Sequence, residues 1–247
     1  MDDGPRAGAF SASIPGAPSV RLLSILVPVF NEAATVAATI ARIRAVHLPI
    51  QHEIIVVDDG STDDTWSLLQ ALDGPDLRLL RHPGNLGKGA ALRTALHAAQ
   101  GDFCVVQDAD LEYDPTDLPA LIAPLLSGDA DMVYGSRFIG SPKGMKPVFR
   151  LGNWVLAWMA TLLYGRRVTD EATCYKAFRT VLLRDMDLRC TGFEFCPEVT
   201  AKGLRRHLRF AEVPIHYEAR GANEGKKLTW RHGAQAIWTL LKYRFVR

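Results

Sequence analysis

The chain has 247 residues, 48% of them hydrophobic, enough to bury a full core in one large α/β domain or two small ones. Its 29 Lys and Arg barely outnumber its 27 Asp and Glu, which excludes the overall basic field that drives nonspecific nucleic-acid binding. Cys104, Cys174, Cys190 and Cys196 form no C-x-x-C pair and show no zinc spacing with His, a pattern of reduced thiols in a cytosolic protein rather than a disulfide framework.

Residues 1–20 are rich in Gly, Pro, Ala and Ser and lack the basic start and apolar core of a signal peptide, so a disordered tail is expected there. From residue 21 onward, one domain is expected. Short β-branched runs at 24–30 (SILVPVF), 53–59 (EIIVVDD), 77–82 (LRLLRH), 102–110 (DFCVVQDAD) and 131–138 (DMVYGSRF) read as strands. Helical patterns fall between them, near 31–46, 62–72, 88–99 and 116–127. This alternation predicts an α/β fold with a central, mostly parallel sheet covered by helices on both faces. The runs at 53–59 and 102–110 are continuously apolar, as central strands are, and each ends in Asp. In such a sheet the ligand crevice lies outside the carboxyl ends of the strands, which is where those carboxylates fall.

After about residue 140 the alternation stops. A basic loop at 141–150 leads to an apolar helix at 151–164, the stretch TDEATCYKAFR at 169–179, a helix near 196–203, a strand at 208–218 and a final helix at 229–243. This half reads as an elaboration on the sheet. The longest nearly apolar stretch, 153–165, is shorter than the roughly 20 residues that span a bilayer.

Three motifs carry chemistry. Asp108 and Asp110, with Glu112 continuing the spacing, would place carboxylates on one side of an extended strand. Mg²⁺ and Mn²⁺ take such oxygen donors and fill their remaining positions with water and substrate phosphates. The plainer alternative is a strand end that caps a turn. In VVDDGSTDDT (56–65), Ser61 and Thr62 read as a helix N-cap with Asp63 and Asp64 in the first turn, whereas Asp58 is placed to accept hydrogen bonds from a base or ribose. PGNLGKGAAL (83–92) sets Gly87, Lys88 and Gly89 at a helix start that favours anions, but it is not a Walker loop.

These segments, in this order, resemble the catalytic core of inverting family 2 glycosyltransferases with the GT-A fold, a Rossmann-like sheet with a C-terminal helical and lid elaboration. The resemblance is to the branch of dolichol-phosphate mannose synthases and polyprenyl-phosphate hexosyltransferases, and it runs from about Leu23 to Arg244. It implies a nucleotide-sugar half at about 21–140 and an acceptor and lid half at about 141–247. Pro28, Phe30, Glu32, Asp58 and Lys88 would line the nucleotide pocket. Asp108 and Asp110 would hold Mg²⁺ or Mn²⁺ on the diphosphate of a GDP- or UDP-hexose, with Asp110 counted among the catalytic residues. Glu112 stands where relatives often carry Gln. Ser136 and Arg137, in GSR, would meet the acceptor phosphate, with Arg150 and Asn153 as a second clamp. Asp170 would orient a sugar hydroxyl or a basic side chain, a plain helix cap being the alternative. Arg220 and Lys226, in ARGANEGKKLTW, would belong to a lid over the diphosphate.

The resemblance implies transfer of a hexose, mannose or glucose in the first instance, to a polyprenyl or dolichyl phosphate at the cytoplasmic membrane face. A soluble or glycan acceptor is the first alternative, and a non-catalytic nucleotide-sugar-binding module the second. Lys226, Lys227, Arg231, Lys242, Arg244 and Arg247 give residues 226–247 six basic side chains and no acidic one. Trp230, Ala234, Ile237, Trp238, Leu241 and Phe245 recur there at helical spacing, which suits either a helix packed on the domain or one lying on a lipid surface.

Overall fold

β1 (Leu22–Val29) is the centre of the architecture, pairing in parallel with β2 (Gln51–Asp58) on one side and β4 (Phe103–Val106) on the other. The computed structural model describes residues 21–72, 74–140, 143–219 and 230–246. The expected tail at 1–20, and Arg220 and Lys226 of the expected lid, lie outside the described residues.

Side chains along these strands alternate between two cores. Leu23, Ile25, Val27, Ile54, Val56, Phe103 and Val105 face a layer with α1 (Val36–Ala45), α2 (Thr65–Gln70) and α4 (Leu118–Leu126). Leu26, Ile55, Val57, Cys104 and Val106 face the other, with α3 (Lys88–Ala98), α5 (Pro147–Tyr164), α6 (Thr180–Arg184), α7 (Phe195–Arg205) and α8 (Trp230–Phe245). Burying each such aliphatic side chain contributes about 1.5–3 kcal/mol, so a continuously apolar run is what a strand covered on both faces requires.

Among the described residues seven strands form one sheet, in the order β3-β2-β1-β4-β6-β5-β7. β3 is Leu77–Arg81, β5 Met132–Ser136, β6 Lys176–Arg179 and β7 Phe210–Pro214. β6 is antiparallel to both β4 and β5, while the other pairings are parallel. The mostly parallel sheet is as expected. The second half, however, contributes two strands to the sheet rather than only decorating it, and β6 lies in the stretch read only as TDEATCYKAFR. The expected strand at 208–218 is paired as β7 only over Phe210–Pro214, with a separate bridge between Tyr217 and Tyr113.

Strand order places a topological switch between β1 and β4: the chain leaves β1 toward β2 and β3, and returns to β4 on the other side. β4 pairs only as far as Leu26, and the Gln107 N–H, bonding to the Leu26 carbonyl, is the last rung. Pro28 points the same way two residues further on, beyond the end of β4, where its missing N–H leaves no rung unmade. The strand ends diverge there and open a crevice.

Candidate active site

On the β2 side of the crevice, Asp58 and Asp59 divide the work. Asp58, the last residue of β2, is fully buried and accepts the Ser61 N–H at 3.0 Å. Its Oδ2 lies 3.0 Å from Arg81 Nε as an ion pair, but outside hydrogen-bond geometry, leaving a buried acceptor without a hydrogen-bonded partner among the described residues. Such an oxygen suits a ligand's donor. Beside it lies a cavity of about 580 Å³ lined by Gly60, Ser61, Thr62, Arg81, His82 and Pro83. Asp59 is instead consumed by structure: it takes the Leu86 N–H at 3.0 Å, the Gly87 N–H at 2.7 Å and pairs with His82 Nδ1 at 2.7 Å. That fastens the glycine loop. Gly87 has φ +97°, and a Cβ there would stand 2.3 Å from the Thr191 carbonyl oxygen, so only glycine fits.

The cap of α2 expected at Ser61 and Thr62 is not formed: the N-cap position falls on Asp64, which makes no side-chain cap bond. Asp63, just before it, accepts from the Thr65 N–H and hydroxyl and from the Ala33 N–H, while the Ser61 hydroxyl accepts the Asn31 N–H. Ser61, Asn31 and Asp63 thereby tie the loop after β1 to the loop after β2. Phe30 and Glu32 lie on the first of these loops and are half-buried, as is Pro28 at the end of β1. The Glu32 N–H donates to Thr65 Oγ1, and its carboxylate accepts from the Thr35 hydroxyl.

Lys88 begins α3 and delivers its ammonium across the crevice to Asp108, at 2.6 and 2.8 Å from the two carboxylate oxygens, and to Cys174 Sγ at 3.0 Å. Burial is the largest single influence and lowers its pKa, but the charge of Asp108, the neighbouring Cys174 and Cys196 and the Asp108 hydrogen bond together outweigh it and raise the pKa, so the amine stays cationic. After β4 the chain does not continue as a strand: Leu111 adopts φ +61°, and Asp110 Oδ1 accepts the Glu112 N–H at 3.1 Å across the turn. The period-two alignment expected of Asp108, Asp110 and Glu112 is therefore not what positions them. Among the described residues no three His, Cys, Asp or Glu side chains form a group that could hold a metal ion. The donor chemistry still suits a hard dication, since the carboxylates here offer only oxygen and each oxygen has more than one lone pair. Such an ion would draw its further ligands from water and a diphosphate.

Of the residues expected at the acceptor phosphate, Ser136 and Arg137 lie together at the end of β5, where Asp170 meets Arg137. The Ser136 hydroxyl is fully buried, accepts the Phe138 and Ile139 N–H groups and pairs with Thr169 Oγ1 at 2.7 Å, so it shapes the turn that follows. Arg137 leaves that turn into a fork with Asp170: Nε to Oδ2 and Nη2 to Oδ1, both 2.7 Å, with the Arg137 N–H also on Oδ2 at 3.0 Å. In the fold Asp170 has its carboxylate on a basic side chain, that of Arg137. Its own loop is held by Glu212, whose carboxylate accepts the Thr169 and Asp170 N–H groups. Asn153, on α5, donates its side-chain amide N–H to Met145 Sδ at 3.7 Å, and Arg150 is exposed one turn earlier.

Sequence reasoning missed Asp59, Arg81 and Tyr217. The Tyr217 hydroxyl donates to Glu112 Oε2 at 2.9 Å and its ring lies under the Arg137 guanidinium, 5.0 Å to the centroid. Nothing in the run LRFAEVPIHYE signals a partner about a hundred residues away.

Two helices border this side of the molecule. α5 exposes Val148, Leu151, Trp154, Trp158 and Leu162. In α8 the buried positions are Ala236, Thr239, Leu240 and Tyr243, so Ala234, Trp238 and Phe245 of the predicted apolar stripe are exposed and Ile237 and Leu241 half-buried. No helix of the described residues is long and apolar enough to cross a membrane.

Comparison with known proteins bears on this geometry. The family model described as glycosyl transferase family 2 matches residues 24–186. The low-salt glycan biosynthesis hexosyltransferase Agl6 of Haloferax volcanii is 33% identical over 217 residues, covering 85% of this chain and 52% of the relative. A dolichol-phosphate mannosyltransferase of Pyrococcus furiosus is 28% identical over 235 residues, covering 90% of this chain and 64% of the relative. The chain thus spans between half and two thirds of the length of these two curated relatives. A crystal structure of Mycobacterium tuberculosis glucosyl-3-phosphoglycerate synthase with Mn²⁺ and UDP-glucose superposes with a TM-score of 0.69 at 26% identity, covering 91% of this chain and 79% of that one.

Proposed function

The chain belongs to glycosyl transferase family 2, and from that premise we propose that it transfers a hexose, mannose or glucose first, from a GDP- or UDP-sugar to a polyprenyl phosphate at the cytoplasmic face of a membrane. The acceptor phosphate, with a second pKa of roughly 6, is already ionised near neutral pH and needs no strong base. One of its oxygens attacks the anomeric carbon from behind as the bond to the nucleoside diphosphate breaks, a single displacement that inverts the centre.

Asp58 receives the base or ribose with its buried acceptor oxygen, beside Pro28, Phe30 and Glu32. Lys88 fixes Asp108 and adds positive charge near the diphosphate. Asp108, Asp110 and Glu112 would hold Mg²⁺ or Mn²⁺, which would neutralise the departing diphosphate. Arg137 binds the acceptor phosphate: the Asp170 fork uses Nε and Nη2, and Nη1 has no partner among the described residues. Arg150 and Asn153, at the start of α5, supply further contacts, with Ser136 shaping the turn. Arg220 and Lys226, which lie outside the described residues, would add positive charge at the diphosphate.

The observation that carries a lipid acceptor is α5. Lys146 stands at its N-cap and Arg150 in its first turn, and it exposes five large apolar side chains along its length. Such a surface suits the headgroup layer better than water. The likeness to a phosphoglycerate-glucosylating synthase favours one rival, a small phosphorylated acceptor. Incubation with a panel of radiolabelled nucleotide sugars and a crude lipid extract tests the reading. Label should move into the organic phase with one donor; label moving only into water-soluble product supports the rival.

A further inference from the structure

Tyr217 touches both halves of the site at once. Its hydroxyl reaches Glu112, on the loop assigned to the donor diphosphate, and its ring supports Arg137, assigned to the acceptor. The side chain is held for this. It is 5% exposed, packs edge-on against Tyr113 at 5.3 Å, and its backbone bridges Tyr113 while the Glu218 N–H bonds to the Glu112 carbonyl at 3.0 Å. Tyr113 in turn stacks on Tyr175 at 4.9 Å, and Tyr175 donates to Gln107, whose amide bonds to the Asp108 carbonyl. One aromatic group thus braces the loop from Gln107 to Tyr113 against the end of β7.

We propose that Tyr217 is a positioning residue that orients the Glu112 carboxylate toward the metal–diphosphate and the Arg137 guanidinium toward the acceptor phosphate, and so sets their separation. The inference rests on the functional reading above. A buried hydroxyl on one carboxylate oxygen fixes its rotation, and outer contacts of this kind alter metal affinity by about 10- to 100-fold. A ring beneath a guanidinium holds its plane, and loss of a desolvated contact of this type changes binding by about 2- to 30-fold.

The two contacts can be separated. Tyr217→Phe removes the hydroxyl and keeps the ring; Tyr217→Leu removes both. Calorimetry with UDP and GDP, with and without Mn²⁺, and KM for a short-chain prenyl phosphate are the readouts. Tyr217→Phe should weaken Mn²⁺-dependent nucleotide binding about tenfold, leave metal-free binding unchanged and barely move acceptor KM. Tyr217→Leu should raise acceptor KM as well. In a Glu112→Gln background the effect of Tyr217→Phe should shrink, which a purely structural role would not produce. Equal loss of metal-free and Mn²⁺-dependent binding in Tyr217→Phe overturns the proposal, as does absence of any Mn²⁺ enhancement in the wild type. If the wild type binds Mn²⁺ with nucleotide yet glycosylates no prenyl phosphate, the acceptor reading fails while the calorimetry still decides the Glu112 contact.

Discussion

Arg137 and Asp170 meet through three hydrogen bonds, two from the guanidinium and one from the Arg137 backbone, with the arginine side chain 7% exposed and the aspartate fully buried. A buried fork of this kind orients a cation more than it stabilises a fold, because desolvating both charges offsets much of their attraction. Arg137→Lys keeps the charge and loses the fork. Acceptor KM should rise about 10- to 150-fold, the equivalent of one or two charge-assisted hydrogen bonds. Calorimetry should show nucleotide affinity almost unchanged; its collapse would mean that the donor and acceptor sides are wrongly divided. Asp170→Asn leaves a buried guanidinium without its counter-charge and should cost about 3–5 kcal/mol of stability, read by denaturant titration.

Asp110 is only half-buried, and its carboxylate accepts the Glu112 N–H across the turn, a bond that an Asn side chain can also accept. Asp110→Asn should therefore melt near the wild type yet lose about 100-fold or more in turnover, the scale of removing a preorganised electrostatic contact to developing charge. Near-wild-type turnover with Mn²⁺ would remove Asp110 from the metal assignment.

Asp131 gives a pH dependence of stability. Hydrogen bonds from the Arg209 side chain and backbone, aided by the charge of Arg209 and Arg179, hold its carboxyl below the usual range despite partial burial. A depressed carboxylate contributes stability that is present above its unfolded pKa of about 3.9 and lost as pH falls through the lower folded value. Asp131→Asn should cost about 1–3 kcal/mol at pH 7. The gap should close as acid protonates the wild-type carboxylate. Urea titrations at neutral pH and well below pH 4 measure it, and a gap that persists in acid would contradict the assignment.

The α5 and α8 surfaces predict membrane behaviour. Trp154 and Trp158 are 61% and 52% exposed, so their joint replacement by Ser should shift melting little while reducing sedimentation with anionic liposomes. Lys242→Glu with Arg244→Glu should weaken that sedimentation by at least about 1 kcal/mol per charge. Both variants should slow transfer to long-chain prenyl phosphate more than to short, water-soluble ones. Equal slowing on both would assign these side chains to folding instead.

The strands at 53–59 and 102–110 were legible because a run buried on both faces must be apolar throughout, and the crevice because their carboxyl ends carry Asp. β6 was not. Lys176 is fully buried at its start, with its ammonium on the Glu171 carbonyl and 3.3 Å from the Tyr134 ring centroid, an environment no local pattern announces. Periodicity left open whether the apolar stripe of α8 packs on the domain or faces lipid; the fold packs the helix through Ala236, Thr239, Leu240 and Tyr243, with Trp238 turned out. At the site, neighbouring Asp58 and Asp59 look alike in sequence, and only the folded loop shows that Asp59 is spent on His82, Leu86 and Gly87.

The most direct test of the central claim compares a short-chain prenyl phosphate with the parent prenol as acceptors for the donor that the panel identifies, with the product's anomeric configuration read by NMR. The phosphate should be glycosylated with inversion, through a new bond from the anomeric carbon to a phosphate oxygen, and the prenol should be inert. Comparable transfer to the prenol, or a product of retained configuration, would contradict the account.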